Sequence, residues 1–352
     1  MIRYLIVGSG YRSEYFGRIA RNYPGLINAM FLCRSEEKAR MVTEHTGIAA
    51  TVKEQEALAF KPDFVIVAVD REHVADVTEE WVLRGFPVVA ETAVGSSMEK
   101  LHRLWELQKT RHAKIVCCEQ YFRHPMMNEG ISAVSGGLLG TPSYCYLSLV
   151  HDYHAASILR KALGTYGESY VMHGERKQSP IVETDSRYEA FYDGHIGQET
   201  RDIVHITYES GKTAVYDFAS TEYRSYIRSR HITVRCERGE WNDRVLYYLN
   251  ERNEPQKKLI SDGIPEKYRI LDSQALKDAR RTWQPELQLD TLHDEYAIAS
   301  ILLDMKEYIA GGASPYPLEE ALDDAVFWLS VQEAIKDPWK EIKVPGMPWN
   351  KK

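Results

Sequence analysis

A chain of 352 residues is longer than one hydrophobic core tends to organise and suits two domains. With 44% hydrophobic and 27% charged residues it is neither disordered nor fibrous, and a formal net charge of -7 argues against general nucleic-acid binding, which draws on clustered positive charge. No apolar run approaches the roughly 18 residues that span a bilayer, and "MIRYLIVGSG" enters a strand at once, without the charged and apolar regions of a leader, so a cytoplasmic address without membrane contact is expected.

Through residue 122 the chain alternates short apolar runs with amphipathic ones, the pattern of a parallel sheet covered by helices. Strands are expected at 3–7, 27–33, 63–69, 87–90 and 114–119, with helices in "SEYFGRIARNY", "SEEKARMVTEHTG" and "SMEKLHRLWELQKTR", the second ending on the capping residue Gly47. Residues 1–122 therefore read as a doubly wound, Rossmann-type nucleotide-binding domain. From 123 to 352 the pattern changes. "TPSYCYLSLV", "DIVHITYESGKTAVYDFAS" and "RSRHITVRCERGEW" are strand-like with hairpin turns at "ESGK" and "ERGE", and one helix, "YHAASILRKALG", stops at Gly164. Residues 251–290 are polar with poor periodicity, and two helices close the chain, the last opening on Pro317. The expected fold class is α/β, a Rossmann domain followed by an α+β domain with a mixed, mostly antiparallel sheet. Cys33, Cys117, Cys118, Cys145 and Cys236 form no C-x-x-C pair and read as reduced thiols, with no metal clamp.

Chemistry concentrates at three places. In "LIVGSGYRSEYFGRIA", Gly8 and Gly10 follow the first strand and precede a helix, where a sharp turn and a helix N-terminus suit a pyrophosphate; Ser13 replaces the third glycine. The bland alternative is a tight turn. At the end of the second strand an acid would bind the ribose hydroxyls of NAD, but Cys33, Arg34 and Ser35 stand there, which favours the 2′-phosphate of NADP; the alternative is a solvated arginine opening a helix. In "HDYH", a helix capped by Asp152 sets His151 and His154 three residues apart on one side, either as an acid–base pair oriented by Tyr153, as metal ligands lacking a third partner nearby, or as hydrogen-bonded structural histidines. The arginines and aromatics of "YRSYIRSRHITVRCER" divide between two strand faces and read as a solvated surface.

The glycine loop, "VAVDREHVADV", "VVAET", "EQYFRHP", "GGLLGTPSYCYLSL", "TYESGKTAVYDF" and "YPLEEALDDAVFWLSVQEAI" together resemble, in order and over almost the whole chain, the Gfo/Idh/MocA oxidoreductases. That resemblance implies a Rossmann domain and an open-faced sheet that often mediates oligomerisation, so a homodimer or homotetramer. It also implies hydride transfer between nicotinamide and a secondary alcohol or ketone of a sugar-like or polyol substrate. Tyr11, Arg12, Asp70, His73, Glu91, Thr92 and Gln120 would then line the cofactor, with Tyr121 and Arg123 on the crossover near substrate. Two departures stand out. The family's E-K-P is matched by Glu91, Thr92 and Ala93, so its lysine is missing, and the aspartate four residues before the histidine, here His154, is Val150. The chain is similar to a variant subgroup with threonine at the lysine position and an H-x-Y-H run. The reading assigns the acid–base work to His154 and His151, with His154 expected to reach toward Thr92 and the nicotinamide. Alternatives are a lyase or glycosidase that keeps NAD(P) bound through a transient redox cycle, and a cofactor-binding sensor or scaffold without turnover.

Overall fold

A computed structural model describes residues 1–186, 189–261, 263–272 and 291–351. They group into two compact units. The first contains residues 1–120, 265–272 and 291–325, and the second contains the described residues of 121–264 and 326–351. The division thus falls at 120, two residues before the expected boundary, and 265–272 and 291–325, expected in the second domain, group with the first.

The chain opens with β1 (Ile2–Val7), α1 (Tyr11–Asn22), β2 (Ile27–Leu32), α2 (Glu36–Thr46), β3 (Ala50–Thr51), α3 (Glu54–Ala59), β4 (Phe64–Val67), α4 (Val74–Leu83), β5 (Val88–Ala90), α5 (Met98–Arg111) and β6 (Ile115–Cys117). The strands form one parallel sheet in the order β3-β2-β1-β4-β5-β6. All four residues of β4 and all three of β5 are buried, as expected of strands covered on both faces. Ser35 caps α2 by accepting from Lys38 N, and Gly47 closes it at φ 74°. The expected strands all form. The two-residue β3 lies at an edge, paired with β2 alone, and is too short for periodicity to reveal.

The second stretch runs through α6 (Pro125–Ser135), β7 (Pro142–Ser148), α7 (Asp152–Leu163), β8 (Tyr170–Val182), β9 (Ile196–Tyr208), β10 (Thr213–Ala219), β11 (His231–Cys236), β12 (Gly239–Asn242), β13 (Val245–Leu249) and β14 (Pro255–Leu259), and the chain ends with α8 (Thr291–Ile309), α9 (Leu318–Ala334) and β15 (Ile342–Val344). Nine strands form a mixed sheet in the order β14-β13-β12-β11-β7-β10-β9-β8-β15, antiparallel throughout except where β7 meets β10. Alternation sends Cys145 and Leu147, Val204 and Ile206, Ala214 and Tyr216, and Ile232 and Val234 into a core shared with Ile158, Leu159 and Ala162 of α7. α6 packs so closely on Trp241 that a Cβ at Gly130 would lie 2.3 Å from its indole. Within the stretch 251–290, β14 and a short 3-10 helix (Glu266–Leu271) are ordered elements that the polar composition hides; residues 273–290 lie outside the described residues.

Candidate active site

In the first unit the expected cofactor residues gather where β1, β4 and β5 end. Gly8 adopts φ 135°, and a Cβ there would lie 2.1 Å from the Ala68 carbonyl oxygen, so this glycine lets β1 leave the sheet close against the end of β4. Gly10, at the N-cap of α1, meets nothing within 4 Å of an added Cβ, and no side chain caps the helix. The first N–H groups of α1 thus carry no side-chain cap, the arrangement that suits a phosphate. The close helix–strand approach that a third glycine would give at 13 is made at Gly17 instead, whose added Cβ would lie 2.8 Å from Phe31; Ser13 is buried and donates to the Gly10 carbonyl at 2.5 Å.

Arg12 joins this loop to the threonine turn. Its Nε and Nη2 lie 3.2 and 3.1 Å from Glu91 Oε1, while Glu91 Oε2 accepts from Thr92 N at 3.2 Å and from Thr92 Oγ1 at 3.4 Å. The positive charge that shares the Glu91 carboxylate with Thr92 is thus a guanidinium already paired with it. Gln120 is 1% exposed, and its Oε1 has no hydrogen-bond partner among the described residues. A buried amide oxygen left so is costly, and a ligand donor would relieve it. Tyr11 is exposed with its hydroxyl 3.0 Å from that of Tyr15.

The remaining expected cofactor contacts are peripheral to this cluster. Cys33 is buried, which pushes its thiol above the usual range. Arg34 is exposed and makes no hydrogen bond or ion pair among the described residues, whereas Ser35 is committed to capping α2. Asp70 and His73 are exposed, with Oδ1 and Nδ1 3.7 Å apart and Asp70 Oδ1 also accepting from Glu72 N.

In the second unit the "HDYH" run meets tyrosines from distant parts of the chain. The N-cap of α7 is His151, and Asp152, expected in that role, begins the helix with φ 45° and its N–H on the Tyr216 hydroxyl at 3.0 Å. The backbone N–H of His151 donates to Tyr223 Oη at 3.0 Å, His151 Nδ1 lies 2.7 Å from the same oxygen, and Nε2 lies 3.3 Å from Tyr153 Oη. His154 is buried, its ring edge-on to those of Tyr121 at 4.5 Å, Tyr153 at 4.6 Å and His151 at 5.0 Å. His151, Tyr153, His154 and Tyr121 therefore come together as expected, whereas Arg123 lies over the Phe122 ring. Burial raises the Tyr223 hydroxyl well above its usual range. Sequence reasoning missed Tyr223 because "STEYRSY" carries no periodicity and lies 72 residues from His151.

Beside this cluster Glu222 is buried; burial lifts its carboxyl to about 7 against the pull of Ala219 N, which donates to it at 3.1 Å. Three arginines of "YRSYIRSRHITVRCER" are held locally, Arg228 on Glu199, Arg230 on the Glu222 carbonyl and the Tyr223 ring, and Arg235 on Glu240, as expected of a solvated face. No group of three or more His, Cys, Asp or Glu among the described residues is placed to hold a metal ion.

The family model described as "Oxidoreductase family, NAD-binding Rossmann fold" (GFO_IDH_MocA) matches residues 2–118. Those residues belong to the Gfo/Idh/MocA oxidoreductase family. The match holds the glycine loop, Arg12 and the Glu91–Thr92 turn, so a nicotinamide cofactor fits this unit, with the open N-terminus of α1 for its phosphates. No curated protein matches the sequence. Solved structures resemble the whole chain in fold. An oxidoreductase from Agrobacterium radiobacter in complex with NAD+, L-tartaric acid and magnesium superposes with TM-score 0.69 at 10% identity, covering 97% of this chain and 98% of that one. UDP-N-acetylglucosamine 3-dehydrogenase from Acidithiobacillus ferrooxidans gives 0.63 at 12% identity, with 95% and 98% covered. Biliverdin reductase from Synechocystis in complex with biliverdin and NADP+ gives 0.63 at 13%, with 96% and 99% covered. The fold these structures share with the chain, a parallel Rossmann-type sheet followed by a mixed, mostly antiparallel one, runs through the whole chain.

Proposed function

We propose that the protein is an NADP-preferring oxidoreductase acting on a secondary alcohol, or the corresponding ketone, of a sugar-like or polyol substrate. One observation carries the reading: at the strand ends of a family Rossmann unit, the N-terminus of α1 has no side-chain cap and Gly10 has room beside it for a Cβ, and the buried Gln120 Oε1 lacks a donor among the described residues. Gly10 and the first N–H groups of α1 would hold the phosphates, Arg34 the 2′-phosphate, and Gln120 an amide or hydroxyl donor. When bound, the nicotinamide supplies or accepts the hydride. Hydride transfer to or from an alcohol also needs a group that exchanges the hydroxyl proton, and the His151, Tyr153 and His154 cluster has the chemistry for it. The absent lysine charge is not replaced by Thr92, whose hydroxyl contributes one hydrogen bond.

His154→Ala should lower turnover by about two to four orders of magnitude with cofactor affinity retained, the usual contribution of an acid–base group. Thr92→Lys should lower activity, since it brings an ammonium into a turn built on Glu91 and Arg12 without a partner of its own. Full activity in His154→Ala would overturn the assignment of that residue. For assembly, the half-buried Tyr144, Tyr146, Ile203 and Val215, which alternate with core residues of the second sheet, support a homo-oligomer through that face; light scattering at micromolar concentration should show more than one copy.

A further inference from the structure

We infer that Arg12 is a positioning residue that acts on the phosphate site through Glu91: it cancels a buried carboxylate beside the first turn of α1, fastens that turn to the Thr92 turn, and does not itself touch the phosphates. The inference deepens the functional reading above and rests on it.

For this side chain, position and surroundings point different ways. Arg12 is the second residue of α1, in the turn whose N–H groups carry no side-chain cap, and an arginine there suits direct contact with a phosphate. Its head group is committed elsewhere. Nε and Nη2, along one edge of the guanidinium, lie 3.2 and 3.1 Å from Glu91 Oε1, and Nη1 lies 4.0 Å from Asp294 Oδ2. The guanidinium carbon stands 4.8 Å over the Tyr15 ring, which covers one face of the plane. Two carboxylates and an aromatic face thus surround the cation, and all of these residues belong to the first unit.

Glu91 is the group that needs the charge. Its side chain is 6% exposed, and a carboxylate so enclosed is costly unless paired. Oε1 takes the guanidinium, while Oε2 takes the Thr92 N–H at 3.2 Å and the Thr92 hydroxyl at 3.4 Å. The first turn of α1, which follows β1, is thereby tied to the segment that follows β5. Without the guanidinium, an unpaired anion would stand one arginine side chain away from the turn that takes the phosphates, and like charges at that range repel. Anion binding then belongs to the backbone N–H groups and charge cancellation to Arg12. Loss of Arg12 weakens the cofactor through the carboxylate it leaves behind, and removing that carboxylate's charge as well restores binding.

Calorimetric titration with NADP+ on the full chain, with circular dichroism to show each variant folded, separates the two roles an arginine can have here. Arg12→Met should weaken binding about tenfold or more, and the loss should narrow between about 0.05 M and about 0.5 M salt, because a stranded charge acts through space. The double variant Arg12→Met/Glu91→Gln should return to within about threefold of the unmodified protein although no guanidinium remains, the non-additivity expected of partners in one pair. A double variant that stays nearer to Arg12→Met than to the unmodified protein would place the guanidinium on the phosphates and overturn the inference. So would an Arg12→Met that binds as tightly as the unmodified protein, or a loss indifferent to salt. Where Arg12→Met does not fold, the double variant decides by itself, since it lacks both charges. Failure of the functional reading looks different: the unmodified protein would bind neither NADP(H) nor NAD(H). Inorganic pyrophosphate titrated into the same variants then reads the role of Arg12 without a nucleotide; the same order of affinities supports the inference, and no binding of pyrophosphate overturns it as well.

Discussion

The two candidate regions are built from different materials. In the first unit the site is mostly backbone: Gly8 makes room for the Ala68 carbonyl, Gly10 leaves helix N–H groups uncapped, and Arg12 and Glu91 fasten the loop to the Thr92 turn. In the second unit it is side chain on side chain, with one histidine held by hydroxyls from Tyr153 and Tyr223 and a second enclosed by aromatic rings. Backbone sites depend on residues close in sequence and on what glycine permits. Side-chain clusters depend on what the fold brings from far away.

The sharpest way to break this contrast is at the glycines. Gly8→Ala places a methyl against the Ala68 carbonyl in a conformation alanine rarely adopts, so urea unfolding should show a loss of about 3 kcal/mol or more. Gly10→Ala meets no atom and should leave stability within about 1 kcal/mol while weakening cofactor binding, because the methyl occupies space offered to a phosphate. Equal stability losses at the two positions would contradict the separate roles given to them.

The next effect belongs to the side-chain region. Burial raises the Glu222 carboxyl from 4.5 to about 7, so folding favours its protonated form. Its contribution to stability is then complete below pH 4.5 and is lost as pH rises through about 7. A shift of that size corresponds to something on the order of 3 kcal/mol. Denaturation profiles of Glu222→Gln and the unmodified protein should therefore draw apart between these pH values, the variant being the less pH-sensitive; parallel profiles would show that Glu222 titrates normally.

Smaller effects separate Arg34 from Ser35. Arg34→Ala should narrow the preference for NADP(H) over NAD(H) by about 1–3 kcal/mol in calorimetric titration, the range for a hydrogen bond to a charged group. Ser35→Ala should instead cost about 1 kcal/mol of stability as a lost helix cap, with less effect on that preference, because its hydroxyl already serves Lys38 N.

The same contrast explains how much was legible in advance. Parallel buried strands are near-continuous apolar runs, so "FVIV" and "VVA" announce themselves, and Gly47 and Gly164 stop helices where a left-handed residue is needed. The G-x-G loop was visible from spacing, yet the tight packing moved to Gly17, because which glycine faces the sheet depends on the neighbour it meets, here Phe31. "HDYH" marked the second cluster by residue type, but not its wiring: the cap fell on His151 and not on Asp152, since tyrosine hydroxyls 64 and 72 residues away take the N–H groups of Asp152 and His151. The thirteen-residue β8 escaped notice because "GERKQSP" at its centre is polar, and its pairing with β9 comes from backbone hydrogen bonds and not from a buried face.

The central claim is that the first unit binds a nicotinamide dinucleotide at the open end of α1. Calorimetric titration of the unmodified protein with NADP+, NADPH, NAD+ and NADH tests it most directly. The account predicts saturable binding of one cofactor per chain, tighter for the NADP forms and weakened in Gly10→Ala; absence of binding by all four, or binding indifferent to Gly10→Ala, would contradict it.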